Sequence, residues 1–149
     1  VMHGISIRTL VEKGIVVLAA GGGGIPVYND KDYNLEGLDA VIDKDLTAAK
    51  LGWVLRAQEF YIITDVDQVY LNYKTPQQEP IREMTIATAK QYEAEGHFQK
   101  GSMGPKIRAA VHFLKHGGSK AVITNIQNVT KAMKSQEGTT IFPAIMPKA

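Results

Sequence analysis

The stretch IVVLAAGGGG, residues 15–24, places a short apolar run directly before four consecutive glycines. Its first part, Ile15 to Ala19, is continuously apolar, which is typical of a parallel strand covered on both faces. A glycine backbone can curl so that successive N–H groups point at one anion. The stretch therefore predicts a buried strand followed by an anion-binding loop made of Gly21, Gly22, Gly23 and Gly24. Its spacing matches neither the dinucleotide fingerprint nor the P-loop, so a flexible turn is the alternative.

Upstream of this stretch, Val1 to Lys13 has the pattern of a helix, and Gly14 is placed to end it. The sequence thus opens inside a helix whose apolar residues, such as Ile7 and Leu10, need a neighbour to cover them. We therefore expect it to be a piece of a longer protein.

Downstream, helical and strand patterns alternate. Tyr28 to Asp39 is polar and rich in turn formers, which predicts a surface loop. A helical period begins at Asp45 and places Trp53 on its apolar face, where we expect Trp53 to be buried in the core. A longer helix is predicted with Pro105 in its first turn and the stripe Ile107, Ala110, Val111 and Leu114. Short helices are predicted around residues 86–92 and 126–133, and further strands at 60–64, 69–72, 121–124 and 139–142.

This alternation predicts an α/β fold with a mostly parallel sheet and helices on both faces. The length of 149 residues favours one domain spanning 1–149. Ligands of such sheets bind beyond the carboxyl ends of the strands. The glycine run and Thr64 to Asp67 lie at two predicted ends, and Asn125 follows a third.

The composition excludes several functional classes. The chain has no cysteine, so it can hold neither a disulfide framework nor a thiolate metal site. The formal net charge is only +2, which gives little reason to expect nucleic acid or an anionic membrane as partner. No apolar run reaches the ~18 residues of a membrane span, and no signal peptide is visible, so we expect a cytoplasmic protein.

Two lysines stand at the starts of two predicted helices. Lys44 is flanked by Asp43 and Asp45, and Lys106 follows the small-residue segment Gly101 to Pro105. Aspartate is favoured at a helix start as a cap, but the helix dipole disfavours lysine there unless an anion lies nearby. Together the lysines suggest a cationic clamp on a polyphosphate, as phosphoryl transfer requires.

Other polar groups are less informative. The carboxylates of Thr64-Asp65-Val66-Asp67 can accept from ribose hydroxyls, help to hold a metal-bound phosphate, or cap a turn. The four histidines have no metal-like grouping, so no metal site is predicted from them. Met103 lies in the small-residue segment and is a candidate contact for a flat base.

Several segments in this order resemble carbamate kinases of the amino acid kinase family. They are residues 19–27 (AAGGGGIPV), 40–45 (AVIDKD), 64–67 (TDVD), 95–98 (EGHF) and 101–106 (GSMGPK). The last is the most specific, since related amino acid kinases vary there. The resemblance runs over nearly the whole chain but covers only the C-terminal, nucleotide-binding half of the family.

The resemblance implies a three-layer αβα sandwich and a magnesium-dependent reaction, ATP + carbamate = ADP + carbamoyl phosphate. It also implies a role in arginine metabolism and a homodimer in the full-length protein. By the same resemblance, Lys44 and Lys106 contact the phosphates, Asp45 orients the lysines, and the four glycines line the phosphoryl and carbamate site. The adenosine pocket is lined by Thr64, Asp65, Val66, Asp67, Met103 and Pro105, with Tyr70 as a neighbour.

Two departures from the family pattern bear on function. The N-terminal half is absent, so we expect no turnover from this chain alone. Gln68 stands where a glycine is usual, and a positive φ there would strain the turn by roughly 1 kcal/mol or more. The alternatives are a nucleotide-binding or dimerising module without turnover, and a kinase for another small acid.

Overall fold

The computed structural model describes residues 1–99 and 101–144; residue 100 and residues 145–149 of the predicted domain lie outside the described residues. These ranges contain five helices and eight strands. The helices are α1 (Gly4–Glu12), α2 (Lys44–Val54), α3 (Ile86–Ala94), α4 (Met103–Lys115) and α5 (Val129–Met133). The strands are β1 (Val27–Asn29), β2 (Leu35–Gly37), β3 (Glu59–Thr64), β4 (Val69–Leu71), β5 (Glu79–Ile81), β6 (Glu83–Thr85), β7 (Lys120–Asn125) and β8 (Thr139–Phe142).

The central sheet has the strand order β3-β7-β8-β6. β3 pairs with β7 in parallel and β6 pairs with β8 in parallel, whereas β7 and β8 are antiparallel. The sheet is therefore mostly parallel, and the predicted α/β class is confirmed. The register places Thr64 opposite Asn125, so β3 and β7 end at the same edge of the sheet.

Helix α4 forms the centre of the core. The predicted stripe is confirmed, since Ile107, Ala110, Val111 and Leu114 are all buried. Phe113 is buried too, and its ring centroid lies 5.2 Å from that of Phe60 on β3. α4 packs against α2, α3 and β7, so its burial joins the helices to the sheet and fixes the direction of its N-terminus.

The predicted strand Ile15 to Ala19 is wrong. The segment follows α1, which ends as predicted with Gly14 at a φ of +76°, but it forms no strand. Val16 is 91% exposed and Leu18 is 98% exposed. An apolar run becomes a buried strand only where other strands pair with it and other side chains cover it. Among the described residues no strand pairs with this segment and only Val17 is partly covered, so the pattern alone could not produce the strand.

Other short elements also differ from the prediction. Residues 27–37, which include most of the predicted loop 28–39, form a β1–β2 hairpin. Asp30 Oδ1 stabilises its turn by accepting from the N–H groups of Asp32 and Asn34, both at 2.8 Å. Strands β5 and β6 have three residues each, too few to show a period. Trp53, near the end of α2, is 44% exposed and not in the core as expected. Its ring lies against the His116 ring, with the two centroids 4.8 Å apart.

No helix in the described ranges combines the length and the apolar composition that a bilayer crossing needs.

Candidate functional site

The glycine run is held against the start of α2. Thr47 Oγ1 donates to the carbonyl oxygen of Gly23 at 2.6 Å, and a Cβ on Gly23 would clash with the carbonyl oxygen of Ile42. Gly24 has a φ of +87°, which side chains disfavour, and Ala20 adopts +58° just before the run. The described residues offer no intramolecular acceptor to the N–H groups of residues 21–24. These donors are therefore free to meet an anion.

The start of α2 is capped by Asp43. Its Oδ1 accepts from the N–H of Asp45 at 2.9 Å and from that of Leu46 at 3.0 Å. The cap accounts for Asp43 as a structural residue. It leaves the side chains of Lys44 and Asp45 at the positive end of the helix, beside the glycine run.

Both predicted lysines reach the same carboxylate oxygen. Lys106 Nζ lies 3.1 Å from Asp45 Oδ2, and Lys44 Nζ lies 3.5 Å from that atom. The side chains of Asp45 and Lys106 are each 13% exposed, whereas that of Lys44 is 67% exposed. Two positive charges thus converge at the starts of α2 and α4: that of Lys106 is largely buried, and that of Lys44 reaches into solvent. Such a pair can bind an anion whose charge is spread over several oxygens.

A pocket opens beyond the end of β3, next to the start of α4. Its volume is about 170 Å³, against the roughly 10–15 Å³ by the same measure that one water needs. Its lining residues are Asp65, Val66, Gln68, Tyr70, Tyr73, Lys74, His97, Phe98, Gln99, Ser102 and Met103. Because Met103 begins α4, one helical turn before Lys106, the pocket and the lysines meet at the N-terminus of this helix.

The structure places the predicted adenosine contacts in two groups. Asp65, Val66, Tyr70 and Met103 line the pocket. Thr64, Asp67 and Pro105 lie beside it: Thr64 Oγ1 donates to Asp65 Oδ1 at 3.0 Å, the Asp67 carbonyl accepts from Thr124 Oγ1 at 3.1 Å, and Pro105 lies in the first turn of α4. The sequence interpretation missed Tyr73, Lys74, His97, Phe98 and Gln99.

One signal could have revealed Tyr73. Tyr70 and Tyr73 are three positions apart in a tight turn, where Asn72 and Lys74 have positive φ values, and the rings stack with centroids 6.0 Å apart. A pair of aromatic residues at that spacing next to two aspartates indicates a flat, partly polar surface. Lys74 follows Tyr73 in the same turn, and His97, Phe98 and Gln99 come from the segment before α4, whose path the sequence does not reveal.

A polar chain runs through the pocket wall. Gln68 Nε2 lies 3.5 Å from Tyr70 Oη, and Tyr70 Oη donates to Asp67 Oδ1 at 2.8 Å. The hydrogen bond from Gln68 lowers the pKa of Tyr70, but burial and the Asp67 carboxylate outweigh it, so this pKa is raised above its usual value. Gln68 does not have a positive φ, so the strain considered for this position does not arise.

The sequence of this chain is similar to those of known proteins. The model of the amino acid kinase family matches residues 6–125. The chain is 45% identical over 138 residues to a carbamate kinase from Thermoplasma volcanium and 46% identical over 139 residues to one from Trichomonas vaginalis, covering 93% of this chain in both cases. It covers only 45% and 44% of those two relatives.

A solved structure gives the same result. Carbamate kinase from Giardia lamblia, bound to AMP-PNP, superposes with a TM-score of 0.89 at 35% sequence identity. The superposition covers 95% of this chain and 49% of that one. This match shows the carbamate kinase fold, and the chain spans less than half the length of the relatives that it matches.

Proposed function

Because this chain belongs to the amino acid kinase family, we propose that it is the nucleotide-binding half of a carbamate kinase. The proposed reaction transfers a phosphoryl group reversibly between ATP and carbamate, giving ADP and carbamoyl phosphate. The observation that carries the proposal is the convergence of Lys44 and Lys106 on Asp45 Oδ2 beside the glycine run. The identity of over 40% to proteins named carbamate kinase supports carbamate as acceptor.

In this proposal the two lysines stabilise the transferring phosphoryl group. Negative charge on the phosphoryl oxygens needs positive charge placed in advance, and the ammonium groups are held in place by a shared carboxylate. Asp45 is engaged by both ammonium groups, so we assign it the role of orienting them rather than of accepting a proton. A P–O bond forms to a carbamate oxygen as the bond to the oxygen of ADP breaks.

The glycine run supplies neutral donors to the same charge. The free N–H groups of residues 21–24 lie beside Thr47 and the start of α2, so they can face the oxygens that Lys44 and Lys106 reach. No side chain projects from these residues to block a substrate. We therefore propose that the run lines the site of the phosphoryl group and the carbamate.

Magnesium would arrive with the nucleotide. Within the described ranges, no group of three or more His, Asp or Glu side chains could hold a metal ion. We propose that phosphate oxygens and water would supply most of the ligands of this Mg²⁺ ion. The bound ion would neutralise part of the phosphate charge.

The pocket at the start of α4 is proposed to hold adenosine. It is lined by the aromatic residues Tyr70, Tyr73 and Phe98 and by Met103, and the exposed Asp65 carboxylate can accept from ribose hydroxyls. The AMP-PNP in the Giardia lamblia carbamate kinase supports an adenine nucleotide as ligand. On the same resemblance we propose a cytoplasmic homodimer for the full-length protein, with a role in arginine metabolism.

Calorimetric titration with Mg-ADP tests the nucleotide site. We expect saturable binding to this chain, together with no ATP formation from carbamoyl phosphate and ADP in a coupled assay. The absence of heat at millimolar Mg-ADP would contradict the proposal. Turnover by this chain alone would contradict our assignment of half of the site to the N-terminal portion of the relatives.

A nucleotide-binding module without turnover is the second candidate, favoured by the chain's coverage of less than half of its relatives. Fusing the chain behind the N-terminal portion of the Thermoplasma volcanium carbamate kinase separates the two. Turnover with carbamoyl phosphate supports a kinase half. A folded fusion that binds Mg-ADP but forms no ATP supports the module, and the same fusion carrying Lys106→Met is the matched negative control.

A further inference from the structure

One hydrogen bond attaches the glycine run to the start of α2. Among the described residues, the bond from the Thr47 hydroxyl to the carbonyl oxygen of Gly23, at 2.6 Å, is the only hydrogen bond that residues 16–25 make. The run has left-handed backbone on either side of this bond, with a φ of +58° at Ala20 and +87° at Gly24. Because a glycine-rich segment has many accessible conformations, this single bond has a large influence on which of them the run adopts.

The proton of the Thr47 hydroxyl goes to Gly23. Thr47 Oγ1 also lies 3.1 Å from the carbonyl oxygen of Asp43, but that oxygen already accepts from the backbone N–H of Thr47 at 3.0 Å. A hydroxyl has one proton to donate, and the 2.6 Å distance to Gly23 is typical of a well-formed O–H···O bond. The bond to Gly23 is therefore the one that the hydroxyl makes.

This bond fixes the direction of the next N–H group along the chain. A trans peptide unit is planar, so the N–H of Gly24 points opposite to the carbonyl of Gly23. Because that carbonyl faces Thr47, the N–H of Gly24 faces away from Thr47, and no described residue accepts from it. The backbone of Ile42 packs against Gly23 so closely that a Cβ would not fit. The peptide between Gly23 and Gly24 is thus held in place while its N–H stays free.

The same helix face carries Thr47 and one of the two lysines. Residues three positions apart in an α-helix lie on one face, so Thr47 and Lys44 share a face of α2. Helical side chains also lean towards the N-terminus, so the Thr47 hydroxyl lies over the first turn, where Lys44 and Asp45 begin the helix. One helix therefore brings a positive charge and the free N–H groups of the glycine run to the same place.

We propose that Thr47 is a positioning residue for phosphoryl transfer, because its hydroxyl holds the Gly23 carbonyl and so directs the N–H of Gly24 to a terminal phosphoryl oxygen. This inference rests on the proposed function and goes beyond it by naming the group that sets the conformation of the glycine run. Thr47 does not touch the phosphoryl group in this role. Without the hydroxyl the Gly23–Gly24 peptide is free to rotate, and its N–H donor is no longer placed in advance.

Calorimetry on this chain tests the role with Mg-AMP-PNP and with adenosine, which lacks phosphates. Thr47→Val keeps the side-chain shape and removes the donor, so it should weaken AMP-PNP binding about fivefold or more and leave adenosine binding unchanged. Thr47→Ser keeps the hydroxyl and should restore the wild-type affinity for AMP-PNP. Thr9→Val is the matched control, since Thr9 on α1 also donates to a backbone carbonyl, that of Ile5, outside the site.

NMR of the ¹⁵N-labelled chain observes the proposed donor directly. The amide signal of Gly24 should shift when Mg-AMP-PNP is added to the wild type and should not shift with adenosine. The shift should persist in Thr47→Ser and shrink in Thr47→Val. The wild-type spectrum decides the matter even if a variant fails to fold, since a Gly24 amide that does not respond to saturating AMP-PNP overturns the inference.

The outcomes separate this inference from the proposed function. An AMP-PNP affinity that is unchanged in Thr47→Val, or equally reduced in Thr47→Val and Thr47→Ser, overturns the role of the hydroxyl and leaves the nucleotide site standing. Equal losses for AMP-PNP and adenosine in Thr47→Val mean that Thr47 only supports the fold, which also overturns the inference. If the wild type binds neither Mg-ADP nor Mg-AMP-PNP, both proposals are overturned.

Discussion

Lys106 Nζ lies 3.1 Å from Asp45 Oδ2, and this ion pair joins the first turn of α4 to the first turn of α2 across 61 positions of sequence. Neither side chain is more than 13% exposed. A positive charge at a helix start opposes the helix dipole, and here it is balanced by one carboxylate that also faces Lys44. The ion pair with Asp45 thus holds the Lys106 ammonium group at a position where it can also bind an incoming phosphate.

Lys106→Met is expected to weaken ADP binding about tenfold or more, because a charge-assisted hydrogen bond to phosphate contributes about 1.5–3 kcal/mol. Adenosine, which lacks phosphates, should bind the variant as it binds the wild type. Titration of both ligands measures the difference. Lys115→Met is the matched control at the opposite end of α4, where the side chain is exposed. Equal losses for ADP and adenosine would contradict a phosphate role for Lys106.

Gly23→Ala is expected to displace the glycine run. The new Cβ would clash with the carbonyl oxygen of Ile42, so the loop must shift and the bond from Thr47 to Gly23 must lengthen or break. We expect a loss of ADP affinity and a destabilisation of about 1–3 kcal/mol, measured by titration and urea denaturation. Gly37→Ala on β2, outside the candidate site, is the control, since a Cβ there meets open space. If both variants bind ADP equally, the loop geometry does not matter for the ligand.

The parts of the fold that were predictable are those whose signal is local. The stripe of α4 and the apolar strand β7 follow from side chains a few positions apart, and both are confirmed. Ile15 to Ala19 carries an equally clear pattern, but a strand also needs a partner strand, which is not a local property. Strands β5 and β6 escaped prediction because three residues carry no period.

The candidate site also has a part that the sequence predicts and a part that it does not. The starts of helices and the ends of strands are visible in sequence, so the closeness of Lys44, Asp45 and Lys106 could be anticipated from general rules. The hydrogen bond from Thr47 to Gly23 could not, because it joins a helix to a loop across 24 positions of sequence. Such a contact is set by how the loop packs against the helix.

Thr139→Val tests how the β4–β5 hairpin is attached to the sheet. Thr139 is fully buried, and its Oγ1 accepts from Val69 N at 2.8 Å and donates to the carbonyl oxygen of Ile81. Valine keeps the shape but leaves both backbone groups unpaired, so we expect a loss of about 3 kcal/mol. Thr139→Ser keeps the hydroxyl and should lose only about 1 kcal/mol. Similar unfolding midpoints in urea for the two variants would contradict the role of the hydroxyl.

His112 on α4 is expected to make the fold weaker in mild acid. Burial lowers the pKa of His112 below its usual 6.5, and the nearby His116, with ring centroids 4.2 Å apart, and Lys50 lower it further. Because the folded state holds this pKa below the unfolded value, folding favours neutral His112. The contribution is fully present above pH 6.5 and is lost as the pH falls through the folded pKa.

The measurement is the urea unfolding midpoint of the wild type and of His112→Gln at pH 7.5 and pH 5. The wild type should lose more stability between the two values than the variant, since glutamine does not titrate. His3→Gln, at an exposed position before α1, should keep the wild-type loss. His116→Gln removes one of the charges that oppose protonation, so NMR should show the pKa of His112 rising towards 6.5, though not reaching it while burial persists. An unchanged pKa of His112 in that variant would mean that His116 does not contribute, which would leave burial and Lys50 as the causes.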